Sequence, residues 1–380
     1  MVSMPAESTP EPGTPGGTGA TDRSGGGGPR RGARGRRRAL TAAAWTAAGI
    51  VALGGTGTGY LYVRLNGNIA SVDIDRLLGA DRPAKADNGS ENILVLGSDT
   101  RSGPNGELGG GADDGSARSD TAMIVHVYEG RTEAGVVSLP RDTLVDRPEC
   151  TDAEGVTHPA ATDVMLNSAY TTGGAACAVK TVESLSGLRM DHYLEVDFAG
   201  FRTLVDELGG VEVTTTQDIR DPGSHLDLKA GTHRLDGERA LALVRTRHGV
   251  GDGSDLGRIQ LQQAFLKALA EQVGKIGLFT GGTRLYDLAD TATKTLTTDS
   301  GLGSLSALMS FANGLRDIDA SRMTTVTLPV RYDPADPNRV VVQERQARQV
   351  WAALRDDRPV PGTATRGTAT GEAQEVMGSP

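Results

Sequence analysis

Cysteine is nearly absent from this 380-residue chain, with two in all. Two cysteines cannot staple so long a polypeptide, so a disulfide-scaffold fold is excluded. There is no CxxC and no HExxH, and the six histidines are scattered, which argues against a zinc or dithiol redox site. No GxxxxGK[ST] loop occurs, so nucleotide binding of the P-loop kind is excluded, and no GxSxG elbow marks a serine hydrolase. Aromatics are sparse (seven Tyr, five Phe, two Trp) and lysine is scarce beside arginine. Glycine and proline are abundant but unevenly placed. Between about Asn92 and Asp357 the chain carries regular apolar runs and can bury a sizeable core.

Charge is uneven too. The net charge is -9, yet residues 1–38 hold seven arginines against Glu7, Glu11 and Asp22. The RRGARGRRR run would suit nucleic acid if it stood alone. It instead precedes residues 39–63, which contain no charged residue and can span a hydrocarbon core of roughly 30 Å as a helix. The run is longer than the core of a cleaved signal peptide, its main rival, and the GTGTG within it is no dinucleotide fingerprint. Arginines on its N-terminal side keep that side cytoplasmic and send the body across the membrane. The expected organisation is a disordered basic cytoplasmic tail (1–38), a transmembrane helix (39–63), a linker (64–90), an extracytoplasmic domain (91–357) and a disordered tail (358–380). Cys150 and Cys177 both fall in the exported part, where a disulfide between them is expected.

The body alternates strands and helices. ENILVLGSD, SDTAMIVHVY and AGVVSLPRD read as strands, separated first by a Gly-rich loop at 102–117. A helical run around Ala176 to Leu188 leads to the strand HYLEVDF and the helix FAGFRTLVDEL, which is closed by Gly209-Gly210. VEVTTT is a strand, Asp236 caps GERALALVR, and Ser254 caps a longer helix reaching about Val273. Helices near 304–317 and 340–356 flank the strand RMTTVTLPV. The fold class is α/β, a central mixed β-sheet covered by helices on both faces, with one N-terminal transmembrane helix.

Polar residues stand at the ends of the apolar strands, where open α/β sheets form ligand sites. Asp99 ends the first strand; Arg118 and Asp120 open the next, two residues apart; Arg141 and Asp142 end the third. Arg245 and Arg247 face one side if the chain is extended there. Asp255, Arg258 and Gln262 fall on one helical stripe. Singly, each pair reads as a solvated surface ion pair. Jointly, five arginines and several carboxylates are the inventory for holding a pyrophosphate with a divalent cation.

At these residues the chain resembles the LytR-CpsA-Psr (LCP) cell-wall polymer ligases. NILVLGSDTR, RSDTAMIV, VVSLPRDT, LNSAYTTGG, HYLEVDFAGFRTLVDELGGVEV, LDGERALALVRTR and DLGRIQLQQ follow that family's blocks in order. The arginine-rich, Gly- and Ala-rich composition resembles its actinobacterial members. The resemblance implies a Mg²⁺-dependent transfer of a glycopolymer phosphate from a polyprenyl pyrophosphate carrier to a peptidoglycan hydroxyl. It puts Asp99 and Asp120 on the metal and Arg118, Arg141, Arg245 and Arg247 on the pyrophosphate, with Asp255, Arg258 and Gln262 as further head-group contacts. Arg118, Arg141 and Asp120 are the expected catalytic set. A prenyl tunnel would be walled by Val196, Phe198, Phe201, Leu204, Leu241, Val244, Leu266 and Leu269. Two departures, Met165 and Leu261 where cations are common, imply a weaker grip on an anionic partner. The alternatives are a pyrophosphate hydrolase using the same residues and a non-enzymatic membrane regulator of envelope assembly. The partners expected are the lipid-linked glycopolymer, peptidoglycan and the membrane, with no nucleic acid.

Overall fold

The computed structural model describes residues 59–100, 117–247, 255–276 and 282–366. The basic tail, most of the apolar run, the Gly-rich loop and the Ser254 cap lie outside the described residues. Residues 59–68 are helical. Among the described residues no helix is long and apolar enough to cross a membrane.

The principal sheet has seven strands: β1 (Ala70–Val72), β2 (Glu91–Thr100), β3 (Ala117–Val127), β4 (Ala134–Leu139), β5 (His192–Asp197), β6 (Leu296–Asp299) and β7 (Met323–Thr327). Their order is β1-β6-β5-β2-β3-β4-β7. The β1/β6, β5/β2 and β4/β7 pairs are parallel and the others antiparallel, so the sheet is mixed as expected. All six residues of β4 are buried, which is what a continuous apolar run gives when both faces are covered.

Register explains the main core. Leu94, Ile124 and Val137 lie directly opposite one another across β2, β3 and β4, as do Leu96, Ala122 and Leu139. Both rows pack in one cluster against α1 (Ile74–Leu78), α2 (Leu166–Ser186) and a C-terminal helix at Glu344–Arg355, through Ile74, Leu78, Val179, Val182, Val350, Trp351 and Leu354. The other face is covered as well. Ser138, which alternates with Val137 and so points away from that core, accepts from Gln263 of a helix at Asp255–Ile276 (2.9 Å). A second core joins α3 (Phe198–Glu207), α4 (Gly237–Arg245) and α5 (Asp255–Ile276) to two hairpins, Val211–Thr215 with Gly231–Leu235 and Ile219–Asp221 with Leu226–Leu228. Beside the principal sheet lies a four-stranded one in the order Val330–Tyr332, Val340–Val342, Thr143–Arg147, Ala161–Met165.

Several elements depart from the sequence reading. The helix expected near 176–188 begins at Leu166 and runs through Gly173 and Gly174, which do not end it. Instead they kink it: Gly174 adopts φ 62°, ψ -152°, a conformation open to glycine. Val340–Val342, taken as the start of the last helix, is a strand, as three β-branched residues favour. The stretch read as a linker supplies β1 and α1. Its Arg82 is buried against Glu183, to which Nη2 donates at 2.6 Å, and also donates to the Met190 carbonyl at 2.8 Å. Ala364, in the stretch read as a disordered tail, is fully buried in the main core.

Cys150 and Cys177 form the expected disulfide, tying the short hairpin of Cys150–Thr151 and Thr157–His158 to α2. The link spans 27 residues. Closing such a loop restricts the unfolded chain, so replacing both cysteines with alanine should cost about 3 kcal/mol in denaturant titration. Alkylation of the denatured, non-reduced protein should find no thiol, and two reactive thiols would refute the link.

Candidate functional site

The site begins with one extra residue in β3. Pairing steps from Gly97 opposite Thr121 to Ser98 opposite Ser119, so Asp120 faces no residue of β2. Such a β-bulge re-aims a side chain at the end of a strand. Gly97 eases the close approach, since a Cβ there would lie 3.2 Å from the Thr121 Cβ and Thr121 would have to give way slightly. Asp99 follows, 6% exposed, with its backbone opposite Arg118. The Arg118 side chain lies outside the described residues.

Arg141 meets this bulge from β4. Pro140 precedes it, and its carbonyl accepts from the Asn167 amide at the start of α2 (3.1 Å). Its guanidinium donates to Asp120 and lies 3.4 Å from Asp142 and 3.5 Å from Asp255. Burial opposes the charge on Arg141, but Asp120, Asp255 and Asp142 outweigh it and hold the pKa above the ordinary arginine value.

The first turns of α5 close the network. Asp255, in the first turn, faces the favourable end of the helix dipole. It pairs at 2.5 Å with Arg258, which also donates to the Asp120 carbonyl (3.1 Å). Burial lowers the pKa of Arg258 despite Asp255, and burial raises that of Asp255 despite Arg258 and Arg141. Gln262 donates to the Thr121 hydroxyl (2.9 Å) and the Val244 carbonyl (3.0 Å), bracing β3, α4 and α5 together.

The remaining wall comes from the end of α4, begun by Asp236, whose carboxylate accepts from the Arg239 amide (2.9 Å). At Thr246 the chain turns extended (ψ 130°). Thr246 is fully buried and bonded to the Ala242 carbonyl and Ser224. Arg245 and Arg247 on either side of it both line the cleft. Arg245 stacks 4.8 Å over the ring of Phe198, and the Arg247 amide donates to Asp221 (2.8 Å).

These walls enclose a cleft of about 550 Å³ that brings together Asp99, Asp120, Arg141, Arg245, Arg247, Arg258 and Gln262. Asp255 stands behind it, reached through Arg141 and Arg258. Sequence reasoning missed Asp221, Asn167 and Arg339 as lining residues. Arg339 carried the same signal as Arg141, an arginine where a turn meets an apolar strand. Of the suggested tunnel walls, Phe198 and Val244 line the cleft, whereas Phe201 and Leu269 pack on the second core. Leu261 is completely buried in that core, so its lack of charge takes nothing from the cleft, contrary to the expectation; Met165 does line it.

The chain belongs to the LytR_cpsA_psr family, whose model matches residues 61–356. Among its relatives is the cell wall biosynthesis protein LcpA of Corynebacterium glutamicum, 32% identical over 301 residues, covering 72% of this chain and 57% of that protein. Another is the polyisoprenyl-teichoic acid–peptidoglycan teichoic acid transferase TagT of Bacillus subtilis, 29% identical over 81% of this chain and 90% of TagT. The chain spans little more than half the length of the corynebacterial relatives it matches. Similar solved structures include a LytR-Csp2A-Psr enzyme from Actinomyces oris (TM-score 0.56, 25% identity, 76% of this chain and 96% of that one). TagT bound to LI-WTA is a second (TM-score 0.54, 25% identity, 75% and 98%).

Arg141 is the hub of this network. Arg141→Lys should leave the thermal midpoint nearly intact, because an ammonium still meets the aspartates. It should lower turnover roughly 10²-fold, because a point charge cannot make the paired contacts that a guanidinium offers an oxyanion. Wild-type turnover by the Lys variant would show that Arg141 serves only as an ion-pair partner.

Proposed function

We propose that this chain is a Mg²⁺-dependent phosphotransferase that moves a glycopolymer phosphate from a polyprenyl pyrophosphate carrier to a peptidoglycan hydroxyl. The observation that carries this reading is the convergence of Arg141, Arg245, Arg247 and Arg258 on a cleft whose end holds Asp99 and the bulged Asp120. Planar guanidiniums match phosphate oxygens in pairs. The relatives' names support the same class of reaction. In the transfer, the acceptor hydroxyl oxygen bonds to the glycan-bearing phosphorus. The bond from that phosphorus to the bridging oxygen breaks, the hydroxyl proton is released, and the prenyl phosphate leaves.

The donor set fits Mg²⁺, which takes one or two carboxylates and completes its shell with substrate and water oxygens. Among the described residues no group of three or more acidic, His or Cys side chains offers a fuller cage. Asp99 and Asp120 would hold the ion, which when bound supplies charge neutralisation to the phosphate oxygens. Arg245 and Arg247 grip the pyrophosphate from the α4 side, and Arg258 steadies the floor. Arg141 exchanges its Asp120 contact for a phosphate oxygen, so that both charges stay paired. Residues 39–63 anchor the protein in the membrane with the catalytic domain outside the cell.

The test is reconstitution of the purified full chain with a lipid pyrophosphate glycan, Mg²⁺ and peptidoglycan fragments. Mass spectrometry should find a phosphodiester-linked product that chelator abolishes. Free glycan phosphate with no adduct would make the protein a hydrolase, and no turnover of the lipid would favour a regulator. Calorimetry should show tighter Mg²⁺ binding when a prenyl pyrophosphate analogue is present, and equal affinity in both cases would remove the metal assignment.

A further inference from the structure

The side sheet delivers a cation to the cleft that the reading above does not use. Val341, Leu144 and Met165 lie in one row across three of its strands. The Val340 amide donates to the Asp142 carbonyl (3.3 Å). The strands therefore reach the cleft together, placing Arg339, Asp142 and Met165 along one wall.

Arg339 is held there by a closed turn. Its amide donates to the Asp336 carbonyl (2.9 Å), its carbonyl accepts from the Asp333 amide (3.0 Å), and Asp336 also accepts from the Asn338 amide (2.9 Å). Pro337 stiffens the same turn. The backbone is fixed while the side chain is lightly engaged. Its carboxylate neighbours lie at 3.8 Å (Asp336) and 4.0 Å (Asp142), beyond hydrogen-bond length, and Nη1 donates to the Asn338 carbonyl (3.3 Å).

Exposure separates Arg339 from Arg141 and Arg258. Its side chain is 31% exposed, against 18% for Arg141 and 4% for Arg258. Arg141 and Arg258 are bound tightly to Asp120 and Asp255 on the floor. Arg339 lines the same cleft as the uncharged Met165 and is more exposed than those two arginines, with donors still to offer. A pyrophosphate seated on the floor leaves Arg339 facing whatever is attached to it.

We propose that Arg339 is a specificity-determining residue that binds an anionic substituent, a carboxylate or phosphate, on the sugar next to the reacting phosphate. A guanidinium prefers such groups to neutral hydroxyls because it meets them with two parallel charged hydrogen bonds. The proposal rests on the pyrophosphate-lipid reading of the cleft and adds to it the charge of the glycan. The anion sits on the donor glycan or on the acceptor sugar.

The experiment compares two geranyl pyrophosphate-linked disaccharides that differ only in a uronate carboxylate replacing a hydroxymethyl group. Two peptidoglycan fragments, with a free or an amidated carboxyl, serve as acceptors. KM and kcat are measured for the full chain, Arg339→Gln and Arg339→Lys. For the Gln variant, KM for the charged donor should rise on the order of tenfold more than KM for the neutral one, with kcat changing equally for both. The Lys variant should recover part of the difference. The same selective rise on the charged acceptor alone would support the anion and place it on the acceptor. Equal changes for all substrates would overturn the proposal and leave the cleft reading standing, whereas failure of the wild-type chain to bind either donor would overturn both.

Discussion

Asp120, pushed out of register by the β-bulge, is where β3, the end of β4 and the start of α5 meet. Its carboxylate takes Arg141 from the end of β4, and its carbonyl takes Arg258 from the first turn of α5. Asp255 then closes the circuit by pairing with both arginines. Removing any one charge from this set would strand another in a largely dehydrated place. The strand ends, the start of α5 and the turn after Pro140 are therefore bound to one geometry. Gln262 and Thr121 repeat the same junction with neutral groups.

A network of this kind contributes little to stability, because taking charges out of water costs about as much as pairing them returns. The depressed pKa of Arg258 and the raised pKa of Asp255 record that cost. The stability comes from the two apolar cores on either side, and the cleft lies where they part. One core fixes β2, β3, β4 and α2; the other fixes α3, α4 and α5. The arginines are thus aimed by packing that lies behind them.

The order of strands and helices was legible because apolar runs of strand and helix period alternate cleanly from β2 onward. The pairing of Arg245 with Arg247 was legible only on the condition that the chain is extended there, which Thr246 meets at ψ 130°. The bulge was not, because nothing in ARSDTAMIV marks which residue will be skipped; that depends on Gly97 admitting Thr121. Arg339 escaped for a related reason. Its neighbours in space, Asp142 and Met165, are set by the pairing of Val341 with Leu144, a contact between segments nearly two hundred residues apart in the chain. The kink in α2 escaped because Gly-Gly ends helices far more often than it bends them.

That kink has a geometric consequence. It divides α2 into a short leading piece, whose Asn167 borders the cleft, and a long trailing piece held by Cys177 and by Glu183. The joint itself is tightly packed, since a Cβ on Gly173 would collide with the Cys177 Sγ. The leading piece has its own anchors: Leu166 packs in the main core, the Asn167 amide donates to the Arg141 carbonyl, and the Tyr170 hydroxyl donates to Glu195. One bent helix thus serves two places at once, its first turns bordering the cleft while Glu183, near its far end, clasps Arg82 of the incoming chain.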